Sequence, residues 1–220
     1  MENFADLYSD YLISSSSYAT STGMANLLSI KHDKITRELS NGDYDSKFLW
    51  KQSKVYVKEL TQSKELITLS FDDSIEEKRY TDESELHCWH FDHTFGKSVR
   101  GVNFLTALIE VGTMRLPCAV EFVKKDLWKK DPKTGKEKRK SSVSKNELFR
   151  KMLRECNGKF RFDYVLADSW YSSNENMNCC KKELNNDFIM ALKSNRKVAL
   201  SLENKQNKEY ISIETLQLGQ

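Results

Sequence analysis

Five apolar runs of strand length, broken by a basic stretch and two helical patterns, are what most constrain the fold of this 220-residue chain. Residues 65–73, "ELITLSFDD", alternate and then turn polar, as a strand does when it ends at a site. Residues 98–112, "SVRGVNFLTALIEVG", and 115–123, "RLPCAVEFV", flank "GTM", which has the length and chemistry of a hairpin connection. "SKNELFRKMLREC" (144–156) has helical spacing through Leu148, Met152 and Cys156, with Ser144 and Glu147 placed as a capping box. "FDYVLAD" (162–168) reads as a strand buried on both faces. A helix over about 171–186 and a strand "FIMALK" (188–193) follow, and "EYISIETLQL" is one more strand candidate. Three meandering strands followed by strand–helix alternation predict a mixed sheet flanked by helices, in the α/β or α+β class.

Composition narrows the setting. At 30% charged and 39% hydrophobic residues, with no apolar run of the roughly 18 residues that span a bilayer, the chain is not expected to be a membrane protein. "MENFADLYSD" is too acidic for a signal peptide, so a cytoplasmic location is expected. The five cysteines, Cys88, Cys118, Cys156, Cys179 and Cys180, lack CxxC spacing and read as reduced thiols.

The net charge of +3 is unevenly spread. Residues 124–140, "KKDLWKKDPKTGKEKRK", carry nine Lys/Arg against three Asp/Glu, leaving the rest of the chain slightly acidic. With Pro132 and Gly135 inside it, this reads as a flexible basic loop, either a solvated solubility element or a footprint for phosphates. Trp128 favours nucleic acid, because a ring between lysines can stack on a base. Lys129, Lys130, Lys138, Arg139 and Lys140 are its candidate DNA contacts. Residues 1–62 are polar and helical in pattern. Two short helices breaking near Ser29 suit either a helix-turn-helix, offering Lys31, Lys34 and Arg37 to a groove, or an ordinary helical hairpin.

Two constellations could carry chemistry. Asp72 and Asp73 close the first strand and Asp168 closes the fourth, some 95 residues further on. Carboxylates converging at strand ends are hard ligands for Mg²⁺ or Mn²⁺, and a pair of such ions can drive phosphodiester displacement. The local alternatives are an N-cap role for Asp168 and a turn at Asp72–Ser74. "HCWHFDH" gathers His87, His90, His93 and Cys88, but a spacing of three does not bring all three imidazoles to one side of a strand, so groove lining or packing with Trp89 is favoured over zinc.

"SFDDSIEEK", "CWHFDHTFGKSVRGVNFLTALI" and "VLADSWYSSNENM" together resemble bacterial insertion-sequence transposases of the IS4/IS701-like type, and "SSSYATSTGMANLLSIKHDKITREL" is similar to their N-terminal region. The resemblance covers essentially the whole chain. It implies a ribonuclease-H-like DDE catalytic domain over 63–220, containing the basic loop 124–140 and the start of a β-rich insertion, behind a helical region over 1–62. Carried over by position, the catalytic, metal-binding aspartates are Asp73, with Asp72 as the alternative, and Asp168. The implied cofactor is Mg²⁺ or Mn²⁺ and the implied partner is DNA, at transposon terminal inverted repeats. A second copy of the chain or a full-length transposase is the implied protein partner, in a bacterial cytoplasm and on the nucleoid when DNA-bound.

The chain departs from that family at the third acid. Members carry a glutamate on a later helix, within a tyrosine-arginine-glutamate-lysine signature. Glu203 sits in "LSLENKQNKEY", a polar stretch without that signature. The expectation is therefore a truncated element without its third acidic residue. A DNA-binding regulator of a full-length transposase and a ribonuclease-H-like nuclease are the other readings. Supplied with Mg²⁺ or Mn²⁺ and terminal repeats, the 220-residue chain is expected neither to cleave nor to join DNA. Strand transfer abolished by Asp168→Asn would overturn that expectation.

Overall fold

The computed structural model describes residues 4–16, 18–132 and 134–216. The chain divides into two compact units, residues 1–44 and 45–220.

The first unit holds α1 (Phe4–Ser14), α2 (Ser21–Leu28) and α3 (His32–Asn41). Thr20 caps α2 by accepting from the Gly23 N–H, and Ser29 ends it in the left-handed region at φ 53°. This is the break read at Ser29. Phe4, Met24, Ala25 and Ile35 make its small core. Lys31, Lys34 and Arg37 line one concavity on α3 with Glu38 and Asn41.

The second unit begins with α4 (Ser46–Leu60), capped by Asp45, whose carboxylate accepts from the Lys47 and Phe48 N–H groups. The division therefore falls at 44/45 rather than near 62, because α4 buries Val57 in the core of the second unit. The sheet has β1 (Ile67–Glu77), β2 (His87–Asp92), β3 (Lys97–Val111), β4 (Met114–Phe122), β7 (Tyr164–Ala167) and β8 (Asp187–Met190). Its order is β2-β3-β1-β7-β8, with β4 also on β3. β1, β3 and β4 meander antiparallel, whereas β7 and β8 run parallel to β1. The sheet is therefore mixed, antiparallel on the β3 side of β1 and parallel on the β7 side.

Several sequence expectations are corrected. β1 does not stop at Asp73. It runs on to Glu77, with Asp72 opposite Thr106 and Asp73 opposite Leu105, so Asp72–Ser74 is strand and not a turn. The basic segment is a β-hairpin, β5 (Leu127–Lys130) with β6 (Glu137–Lys140), because Asp126 closes its base by accepting from the Ser142 N–H and hydroxyl while Gly135 (φ 68°) makes the turn. The helix expected over 171–186 begins only at Asn174. It comprises α6 (Asn174–Asn178) and a π-helical turn, Cys179–Glu183. Of "EYISIETLQL", Ile211–Ser212 forms β10 against β9 (Lys197–Val198), and residues 217–220 lie outside the described residues.

Packing follows from alternation. Ile67, Leu69 and Phe71 of β1, Leu105, Ala107 and Ile109 of β3 and Val165 of β7 present one buried face. Against it α5 (Lys145–Asn157), with the expected Ser144/Glu147 capping box, lays Leu148, Phe149, Met152, Leu153 and Cys156. Pro117 is tolerated in β4, an edge strand, where the register slips by one residue between Ala107 and Leu108. Gly101 is required where β3 passes between β1 and β2, since a Cβ there would stand 2.2 Å from the Glu76 carbonyl oxygen. All five cysteines are free and buried, and burial pushes the Cys180 thiol up to about 12. Among the described residues no helix is long and apolar enough to cross a membrane.

The histidines of β2 serve the fold. His87 is buried with its ring nitrogens 2.9 Å and 2.6 Å from the Asp82 and Lys78 carbonyl oxygens, tying down the β1–β2 connection. His90 is buried beside the Cys88 sulfur at 3.4 Å, and desolvation, reinforced by Lys125 and Lys145, lowers its pKa to about 4. Between about pH 6.5, the ordinary histidine value, and about 4 the unfolded chain takes up this proton more readily than the folded one. Stability is therefore expected to fall as pH drops through that window. In urea titrations at pH 7 and pH 4, His90→Gln should narrow its stability deficit relative to wild type at the lower pH; a constant deficit would count against this.

Candidate active site

The cleft beyond the carboxyl end of β7, alongside the middle of β1, collects what the sequence separates. Asp72, Asp73 and Ser74 from β1, Asp168 to Trp170 beyond β7, Phe91 to Thr94 from β2 and its turn, Lys145 of α5 and Lys193 border a cavity of about 630 Å³. Asp168 arrives there because β1 and β7 pair in parallel from Thr68↔Tyr164 to Phe71↔Ala167. Asp72 and Asp168 each stand one position past the last paired residues, Phe71↔Ala167. Side chains alternate along β1, so Asp73 lies with Phe71 on the buried face and Asp72 on the other.

Each aspartate has different company. Asp73 has both oxygens engaged: Oδ1 accepts from the Tyr171 hydroxyl at 2.9 Å, and Oδ2 pairs with the Lys145 ammonium. Asp72 turns one oxygen back to the Asp73 N–H at 2.9 Å. Its pKa is raised, first by burial and then by the negative charges of Asp73 and Asp168, against which Lys145 acts. Asp168 is not the N-cap of the following helix. Its Oδ1 accepts from the Trp170 N–H at 2.9 Å in a tight turn, and Ser173 caps α6.

Tyr171 and Asn176 are the supports that sequence reasoning passed over. Tyr171 is fully buried, its ring stacked 5.3 Å from Phe149, which in turn packs 4.6 Å from Phe71. Burial and the adjoining Asp73 carboxylate drive its pKa upward, so the phenol stays a donor. Asn176, also fully buried, donates to the Tyr171 carbonyl at 2.9 Å and to Asn146 at 2.7 Å, and accepts from Arg150 at 2.7 Å. The one signal available was local: "SKNELFR" and "YSSNEN" both place polar side chains among core positions.

The other candidate residues lie elsewhere. Lys129, Lys138 and Lys140 share one face of the β5–β6 hairpin, and Lys130 and Arg139 the other. Lys138 pairs with Asp131 at 2.7 Å, and Arg139 pairs with Glu83 at 3.1 Å and lies 4.4 Å over the Trp128 ring. Lys31, Lys34 and Arg37 belong to the first unit. Glu203 stands on α7 (Leu202–Gln206) and is not among the cleft residues. Among the described residues no group of three or more His, Cys, Asp or Glu is arranged to hold a metal ion.

Comparison with known proteins places this geometry in context. A family described as DDE superfamily endonuclease matches residues 2–209. No curated protein matches the chain. Among solved structures, the chain is similar to the Drosophila P element transposase strand transfer complex, at 12% identity and TM-score 0.29, covering 86% of this chain and 46% of that one. It is also similar to the Mos1 strand transfer complex, at 10% identity and TM-score 0.28, covering 86% and 57%. The chain thus spans about half the length of the chains it matches.

Asn176→Ala removes three hydrogen bonds and leaves buried groups unpaired. It is expected to destabilise the chain by about 1–3 kcal/mol, seen as a lower urea midpoint with unchanged slope. An unaltered midpoint would show that these bonds do not hold the site.

Proposed function

We propose that this chain, which belongs to the DDE superfamily endonuclease family, acts in DNA transposition by metal-dependent cleavage and strand transfer at transposon ends. The observation that carries this reading is the meeting of Asp72, Asp73 and Asp168 in one cleft, where β7 ends beside its parallel neighbour β1. Ligands of open α/β sheets gather at such carboxyl ends. The motifs around these aspartates support the bacterial insertion-sequence, IS4/IS701-like, branch.

The donor set suits a hard divalent cation, Mg²⁺ or Mn²⁺, since carboxylate oxygens predominate in it, with His93 as its imidazole and no thiolate among the described cleft residues. The reading takes Asp72 rather than Asp73 as the partner of Asp168. Supporting this are the place of both one position past the last β1–β7 pair and the engagement of both Asp73 oxygens by Tyr171 and Lys145. A divalent ion there supplies Lewis acidity at a phosphodiester and at an attacking oxygen. The chain's own residues do the rest. Tyr171 and Lys145 hold Asp73, and the Lys145 and Lys193 ammoniums offer positive charge to phosphates entering the cleft.

Among the described residues no glutamate lines the cleft with the three aspartates, so these 220 residues are expected to bind Mn²⁺ and to nick DNA weakly at best. With Mn²⁺ titrated calorimetrically and a terminal-repeat duplex as substrate, Asp72→Asn and Asp168→Asn should each abolish binding and nicking. Tyr171→Phe, which frees Asp73 and not Asp72, should leave metal affinity nearly unchanged, whereas a loss of about 10-fold would point to Asp73 as the ligand. Metal binding that survives Asp72→Asn but not Asp73→Asn would return the ligand role to Asp73. Cleavage of RNA–DNA hybrids instead of DNA would favour a ribonuclease-H-like nuclease.

A further inference from the structure

A row of exposed rings leads into the cleft from the basic hairpin. Trp89 and Phe91 project from the outer face of β2, each more than half exposed, and with Trp128 they border a second cavity of about 630 Å³. Phe91 borders both cavities. From it the row continues through His93, edge-on at 4.9 Å, to Trp170 at 5.5 Å from His93, beside Asp168. Such rings are stabilised by burial, yet all five are exposed to water among the described residues. Cations stand along the row. Lys193 and Lys145 lie 5.1 Å and 5.8 Å from the Trp170 ring, and Lys125 and Lys138 line the second cavity. Carboxylates stand there too: Asp72, Asp73 and Asp168 belong to the proposed metal site, with Asp73 paired to Lys145, Glu83 is paired with Arg139, Asp92 accepts from the Thr94 and Phe95 N–H groups, and Glu137 stands at the hairpin end, where Lys138 is paired with Asp131.

We infer that this row is a stacking path for unpaired nucleotides, along which a DNA strand enters the carboxylate cleft single-stranded. Flat π faces at intervals with ammoniums between them are the arrangement that holds unstacked bases while neutralising their phosphates. A duplex, its bases already stacked on one another, offers such rings nothing to stack on. The inference rests on the proposed action on DNA but concerns the form in which the strand is taken.

The test uses the full chain in EDTA, so that binding is read without cleavage. Fluorescence anisotropy with labelled (dT)20 and a 20-base-pair duplex at matched salt is expected to show tighter binding of (dT)20, with quenched tryptophan emission. Trp89→Ala and Phe91→Ala should each weaken (dT)20 binding by about 5- to 150-fold and leave duplex binding unchanged. Trp89→Phe should restore it, and Phe91→Leu, apolar but without a ring, should not. Equal affinity for the two probes, or alanine variants that hold (dT)20 as wild type does, overturns the inference. Metal-dependent nicking alongside that result would leave the transposition reading standing. Ring-dependent (dT)20 binding by a chain that nicks no DNA would sustain the inference and remove that reading.

Discussion

The parallel pairing of β1 with β7 is the contact on which the rest depends. It joins strands about a hundred residues apart, so no local propensity enforces it, and its closure has to be stabilised at the point of entry. Asp163 does this from two sides: its carboxylate accepts from the Ile67 N–H and its own N–H donates to the Ile67 carbonyl, each at 2.8 Å. Arg161 adds donors to the Thr61 and Ser63 carbonyls just before β1. With that end fixed, the register can run only one way, and Asp168 comes out level with Asp72.

The same pairing explains the division of labour among the aspartates. A strand turns successive side chains to opposite faces, so adjacent Asp72 and Asp73 cannot do the same work. Asp73 falls on the face packed by α5 and is met by Tyr171 and Lys145. Asp72 falls on the other face, where partial burial and then the charges of Asp73 and Asp168 raise its pKa from the ordinary carboxylate value. The aromatic column Phe71–Phe149–Tyr171 therefore serves both core and site: one end packs the sheet and the other holds a phenol at a carboxylate.

Features with a period or a cap were legible in the sequence. The Ser144 capping box, the helix break at Ser29 and the β3–β4 hairpin stand where expected, because each is decided by residues within a few positions of one another. What failed depended on distant partners. β1 looked finished at Asp73, since polar residues usually end a strand, but β3 is long enough to pair it as far as Glu77. The lysine-rich stretch looked like a loop, yet cross-strand pairing and the Trp128–Arg139 contact make it a hairpin. The helix after Asp168 starts late because its first residues are taken up in presenting Tyr171.

By itself, the sequence determined the kinds of chemistry available: carboxylates at two strands, a lysine-rich segment with a ring in it, and an apolar pattern that builds a mixed sheet. Which aspartate faces which, and that Tyr171, Asn176 and Lys145 belong to the site at all, only the tertiary structure decided. The physical reason is that strand register and side-chain alternation become relations between residues only once β1 and β7 lie side by side.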